Sequence, residues 1–254
     1  MLITPIKQFD GALLAARYAY MPNKLKYCGG DDNSELFAYA AHQQSDRGLR
    51  EMLKEFATMY PYLRLIAEAN HIIDPFDFRV VEAYWLGNEL LNNVSMKGFY
   101  RHMTDNQKLK KQLRSELAEK VFGKLNFGAK PHHSWHVINI PKRTGYYPVA
   151  HTLQTMDECR ISWGQIKSGE NINKIAGKIT IEYQPLKILD NKLILGEITN
   201  RDVWLSNDDK SFVSNLKPGD YVSIHWGWVC DILSERQKNN LEKWTIHNMK
   251  LVSI

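Results

Sequence analysis

The sequence predicts an α+β protein, helical in its first half and built of short strands in most of its second, and three observations predict it. Apolar residues recur at helical spacing from residue 11 to about 125. From Cys159 to residue 233, short β-branched and aromatic runs follow one another between turn signals. From Ser234 the helical period returns. These changes of period divide the chain into a helical domain over 1–128, an extended His-containing connector over 129–156, and a small barrel with a terminal helix over 157–254.

In the helical part, Leu49, Met52, Leu53 and Phe56 have the i, i+3, i+4, i+7 spacing of a buried stripe, and Pro61 is expected to bend or end that helix. Asp74 before Pro75 reads as an N-cap that starts a helix through Phe78, Val81, Tyr84 and Trp85. "KLKKQLRSELAEK", residues 108–120, reads as one charged helix around Leu109, Leu113 and Leu117. Pro22-Asn23 and Gly29-Gly30 predict two turns around Tyr27 and Cys28.

In the second half "KITIEYQPLKI", "NKLILGEI" and "GDYVSIHWGWVC" are separated by Asp190-Asn191 and Pro218-Gly219, a pattern of a small barrel rather than a βαβ sheet. Ser234 with Gln237 forms a capping box. Leu241, Trp244, Thr245 and Met249 then share one face of a terminal helix.

Composition narrows the function classes. The net charge of +5 is carried entirely by the first 156 residues, but the basic helix lacks an aromatic stacking platform, so a solvated face is expected and no nucleic-acid partner. Pro5, Lys7 and Asp10 interrupt any secretory signal, and no apolar run has the length of a membrane span, so a cytoplasmic protein without a membrane partner is expected. Cys28, Cys159 and Cys230 form no disulfide spacing and no CxxC zinc motif. P-loop, GxGxxG, GxSxG and HExxH motifs are absent.

The candidates for metal chemistry are therefore isolated thiols and histidines. In "CRISWGQI" the alternation places Cys159 with Ile161 and Trp163 on one face of a strand. "PHHSWH" places His132 and His136 on one side of an extended segment and His133 on the other. Cys28 lies in a glycine-rich turn whose amides can approach an anion or a metal. Cys230 reads as core, and Asp31, Asp32, Glu35 and Glu82 as carboxylates on helices, with acid–base roles left open.

One stretch carries a resemblance. "LKPGDYVSIHWGWVCDILSERQKNNLEK", residues 216–243, resembles the end of the HypC/HupF hydrogenase-assembly chaperones, where P-G-D-Y-V-x-V-H-x-G-x-A precedes an acidic helix. "CRISWGQI" is similar to their opening, M-C-x-x-x-P-G-x-V, from Cys159 through Gly164 to Ile166. The resemblance covers 157–254 and implies a HypC-like, OB-like barrel. It also implies Cys159 and His225 as the pair that holds iron as an Fe(CN)2CO fragment, with a HypD-like maturation protein or the hydrogenase large-subunit precursor as partner. Three differences stand beside it: Cys159 is internal, Trp163 replaces a proline, and 172–200 is longer, as an added hairpin would be. "ARYAYMPNKLKYCGG" and "VVEAYWLGN" are similar to an uncharacterised bacterial family that carries this end.

The sequence is thus read as an accessory protein of [NiFe]-hydrogenase maturation rather than an enzyme. Its metal residues are Cys159 and His225, with His132, His133, His136 and Cys28 as further candidates. Two alternatives stay open: a metal-dependent enzyme with its site between the halves, and a protein-binding module with no metal.

Overall fold

The computed structural model describes residues 10–141, 147–167 and 177–253. The expectations resting on Pro5 and Lys7, on part of the connector and on the start of the longer 172–200 segment lie outside these residues. Among the described residues no helix is long and apolar enough to cross a membrane.

The fold is mixed α+β. Helices α1 (Gly11–Lys24), α2 (Asn33–His42), α3 (Arg47–Lys54), α4 (Met59–Ala69), α5 (Phe78–Trp85), α6 (Met96–Arg101), α7 (Leu109–Gln112), α8 (Ser115–Gly123), α9 (His133–Asn139) and α10 (Leu153–Cys159) precede the strands. Strands β1 (Ser162–Ile166), β2 (Lys178–Tyr183), β3 (Leu186–Leu189), β4 (Lys192–Leu195), β5 (Thr199–Trp204), β6 (Ser206–Asn207), β7 (Lys210–Ser211), β8 (Tyr221–His225) and β9 (Trp228–Leu233) lead to α11 (Glu235–Lys250). The main sheet runs β1-β2-β5-β9-β8 and β8 pairs back to β1; its seam, β5 to β9, is the single parallel pair Trp204↔Trp228.

The local signals hold where one residue decides the geometry. Ser234 and Gln237 form the reciprocal cap of α11, whose buried face carries Leu241, Trp244, Thr245 and Met249. Asp190 and Asn191, both at positive φ, turn the β3–β4 hairpin, which packs on α10 and α11.

Other elements differ from the expectation. Pro61 ends no helix: it lies in the first turn of α4, where its missing N–H costs no hydrogen bond. Asp74 accepts from the Phe76 amide at 2.9 Å in a local turn, and Asp77, bonded to the Arg79 amide at 2.9 Å, is the cap of α5. Residues 108–120 form two helices, broken at Leu113 and Arg114 in extended conformation. Lys110 and Arg114 would be a like-charged i, i+4 pair in a continuous helix, which disfavours continuity.

The helical and sheet regions share one core. It runs from Ala12, Tyr18 and Leu63 through Trp163, Trp228 and Trp244. Tyr20 of α1 meets Trp228 edge-on at 5.2 Å. Gly87, at φ +85, lies so close to Trp244 that a Cβ there would be 2.1 Å from the indole. Glu82, 3% exposed, bonds Arg236 at 2.8 Å and Gln237 at 3.0 Å, so it ties α5 to α11. A smaller core around Ile179, Ile181 and Val222 lies within the sheet region itself.

Candidate metal centre

Cys159 is the last residue of α10 and not part of a strand. Thr152 and Thr155 cap the helix start. After Cys159 the chain turns out at Arg160, whose buried guanidinium bonds Asp157 at 2.9 Å and the Gln184 carbonyl at 2.6 Å, and two residues later β1 begins. The helix replaces the expected strand alternation of Cys159 with Ile161 and Trp163, and Cys159, 5% exposed, lines an interior cavity.

His225 ends β8. Antiparallel pairing sets Ser162 opposite Ile224, so the end of β8 lies beside the chain that leaves Cys159. The Trp226 amide donates to the Glu158 carbonyl at 2.8 Å and closes this junction. Trp226 and Gly227, both at positive φ, are the two-residue turn into β9. Trp226 packs on Tyr27 at 4.8 Å, while Trp228 is buried in the shared core, so the two indoles do not share a surface.

The third member comes from the helical region. Residues 133–139 are a helix, so the two-residue period of an extended connector does not apply. The expected pairing of His132 with His136 fails for this reason. In a helix, residues three apart share a face, and it is His133 and His136 that line the cavity. His132 instead caps α9: its Nδ1 accepts from the Ser134 amide at 3.2 Å and sits 2.7 Å from the Ser134 hydroxyl. Burial lowers its pKa to about 3.

One ring nitrogen each of His133 and His225 and the Cys159 sulfur lie within 4.8 Å of one another, all buried. Donors at ~2.0–2.3 Å from a tetrahedral ion are ~3.3–3.7 Å apart, so no pair needs to close by more than about 1.5 Å. Hydrogen bonds fix both tautomers, because a carbonyl oxygen only accepts. His133 Nε2 donates to the Cys159 carbonyl at 2.8 Å, so its lone pair is on Nδ1, where the Tyr84 hydroxyl donates at 3.2 Å. His225 Nδ1 donates to the Tyr18 carbonyl at 2.6 Å, so its lone pair is on Nε2. Burial, and next the neighbouring His225, hold the His133 pKa well below its ordinary value, which keeps it neutral as a ligand must be.

The Tyr18 carbonyl is available for a sequence reason. In α1 it would accept from the amide of residue 22, but residue 22 is proline and has no N–H. Sequence reasoning missed this device, although Tyr18 and Pro22 at i, i+4 in a helical stretch are its signal. It also missed Tyr84, which read only as part of an apolar stripe.

Cys28 and His136 line the same cavity, of about 30 Å³, with Phe56, Met59 and Trp85 among its apolar walls. Cys28 is half-buried and outside the close triad. Its loop is held by Asn23, which donates to the Cys28 carbonyl at 2.9 Å and the Gly30 carbonyl at 2.7 Å. Gly29, at φ +80, packs against the Phe56 ring, where a Cβ would be 2.5 Å away. Cys230 is core as expected: it is fully buried, and burial raises its thiol pKa far above the ordinary value. Of the four carboxylates, Asp31 pairs with Lys26 at 2.6 Å and Glu82 bridges α5 and α11.

Comparison with known proteins gives one match. A family described as a family of unknown function (DUF6390) matches residues 7–254, and the chain belongs to it. No curated protein and no solved structure matches the chain.

Proposed function

We propose that the protein is an iron-holding accessory protein of [NiFe]-hydrogenase assembly, with Cys159, His225 and His133 as its ligands. The convergence of these three donors within 4.8 Å carries the reading. A thiolate and two neutral imidazoles suit a borderline divalent ion such as Fe(II). The sequence likeness of 157–254 to the HypC/HupF chaperones supplies the assembly context, and the five-stranded sheet followed by a capped helix is compatible with a HypC-like, OB-like barrel. The partner in this reading is a HypD-like protein or the large-subunit precursor.

His133 is the addition this chain makes to the Cys/His pair. The family's chaperones begin at their cysteine, whereas Cys159 is internal, and a helix from the other half brings the further donor to it. Room limits the cargo. A water needs at least ~10–15 Å³, so 30 Å³ beside the triad admits an ion with about one water-sized ligand. Three diatomic ligands exceed it, so the cargo in this reading is the bare ion.

A second reading, a metal-dependent enzyme, is favoured by one observation: the triad joins helices α9 and α10 to strand β8, between the two halves. Anaerobic purification followed by metal analysis and infrared spectroscopy tests the first reading. Stoichiometric iron without C≡N or C≡O stretching bands is expected, and it is lost in Cys159→Ala. Iron retained by Cys159→Ala, or a wild-type chain that takes none, would remove the proposal.

The Pro22 device adds a second test. Pro22→Ala restores an amide that competes with His225 for the Tyr18 carbonyl, so divalent-ion affinity is expected to fall about tenfold, as for loss of a partner that orients a ligand. Melting temperature is not expected to fall, because the helix gains a hydrogen bond. Unchanged affinity by chelator competition would show that Tyr18 does not orient His225.

A further inference from the structure

We propose that the surface built by α6, α7 and α8 adsorbs the protein reversibly to an anionic lipid bilayer. The inference is independent of the proposed metal centre and concerns residues that take no part in it.

Charge marks the surface. Residues 96–130 hold nine Lys and Arg against three Asp and Glu, a net +6, so this stretch alone exceeds the +5 of the whole chain. Lys97, Arg101, Lys108, Lys110, Lys111 and Arg114 are all exposed. Among the described residues the stretch contains one ion pair, Glu116 with Lys120 at 2.8 Å, and these six cations take no part in it.

The fold gathers the cations around aromatic rings. Lys110 of α7 donates to the Tyr100 hydroxyl of α6 at 2.6 Å and lies 5.0 Å over the Tyr100 ring and 5.4 Å over that of Phe122 in α8. Tyr100 and Phe122 meet edge-on at 4.9 Å. Helical spacing sets Met96 and Lys97 on the Tyr100 side of α6, which also packs on the turn Lys124–Phe127. Large apolar side chains stand out beside this charge: Met96 and Phe127 are each 55% exposed, and Leu117, expected inside a single helix over 108–120, is 36% exposed.

Cations interleaved with separate apolar tips suit an interfacial surface, where the tips enter the headgroup boundary and the cations meet anionic headgroups. A protein interface favours a continuous apolar centre and is depleted of lysine, whose long side chain loses its freedom when fixed. A fluid headgroup layer fixes no such geometry. Nucleic-acid bases need open aromatic faces, and Lys110 lies over both Tyr100 and Phe122. The expectation of no membrane partner rests on the lack of a spanning run, which bears on crossing a bilayer and not on adsorbing to one.

Co-sedimentation of the full chain with vesicles tests this. At about 0.1 M salt the chain is expected to bind vesicles of phosphatidylcholine with about one third phosphatidylserine, and not vesicles of phosphatidylcholine alone. Salt at about 1 M should release it. The triple variant Lys97→Gln, Lys108→Gln, Lys111→Gln loses three cations, each worth about fivefold near such a surface, so partitioning should fall about a hundredfold. Phe127→Ser should weaken partitioning about tenfold and leave its salt dependence unchanged. All four side chains are exposed, so both variants are expected to melt like wild type. Equal binding to neutral and anionic vesicles, or a triple variant that partitions like wild type, overturns the inference. A chain that stays in the supernatant of both vesicles overturns it too, whether or not it binds a single-stranded oligonucleotide or an acidic protein instead.

Discussion

Residues 157–254 expressed alone are expected to be molten or insoluble, while the full chain folds cooperatively. The segment has its own strands and a well-capped helix, which is why the sequence reads as a separable domain. Its large apolar groups, however, are buried against the helical region. Trp163, Trp228 and Trp244 belong to the same core as Tyr18, Leu63 and Trp85, and Phe212 packs on Phe37 at 5.5 Å. Fully burying one large apolar side chain is worth ~1.5–3 kcal/mol, so exposing these four costs roughly 6–12 kcal/mol, as much as the ~5–15 kcal/mol by which a typical domain is stable. Dispersed amide spectra and a cooperative melt from the isolated fragment would contradict this, and would show the smaller core around Ile179, Ile181 and Val222 to be sufficient.

Acid is expected to unfold the protein well above the carboxylate range. Burial lowers His102 and His132 to about 3, and His133 lies well below its ordinary 6.5. Each is neutral in the folded chain and titrates near 6.5 in the unfolded one. Below pH 6.5 the unfolded state binds more protons, so stability falls with falling pH across the window from about 6.5 to about 3. Each group contributes ~1.4 kcal/mol per pH unit once well inside that window, and the three together about 4. Asp231, raised by burial, acts in the opposite direction over the carboxylate range. Urea unfolding between pH 7 and 4.5 measures the slope, which His102→Gln should reduce by about one third. A midpoint that stays flat over this range would show that the buried histidines take up protons without unfolding.

What the sequence made legible follows the range of the forces involved. Caps, turns and stripes are decided within a few residues, and so the Ser234 cap, the Asp190-Asn191 turn and the Leu49–Leu53 stripe are found as expected. The α9 helix was not legible. In "HSWHVIN" Trp135 and Val137 alternate with polar residues, and what favours helix over strand is the His132 cap with the bond from Asn248 to Ser134 at 2.8 Å, a partner over a hundred residues away. An extended period pairs His132 with His136, whereas the helix brings His133 beside Cys159 and His225. Motif order alone singles out Cys159 and His225; the Tyr84 and Tyr18 contacts arise only when the two halves meet. The shared core is illegible for the same reason, because periodicity shows that a face is buried but not which face covers it.

Cys159, His133 and His225 are proposed to bind one ion together. X-ray absorption of the anaerobically loaded chain measures this directly. One sulfur at ~2.3 Å and imidazole nitrogens at ~2.0–2.1 Å are expected, with the sulfur shell lost in Cys159→Ala and an imidazole lost in His133→Ala. A first shell without sulfur, or one that His133→Ala leaves unchanged, would contradict it.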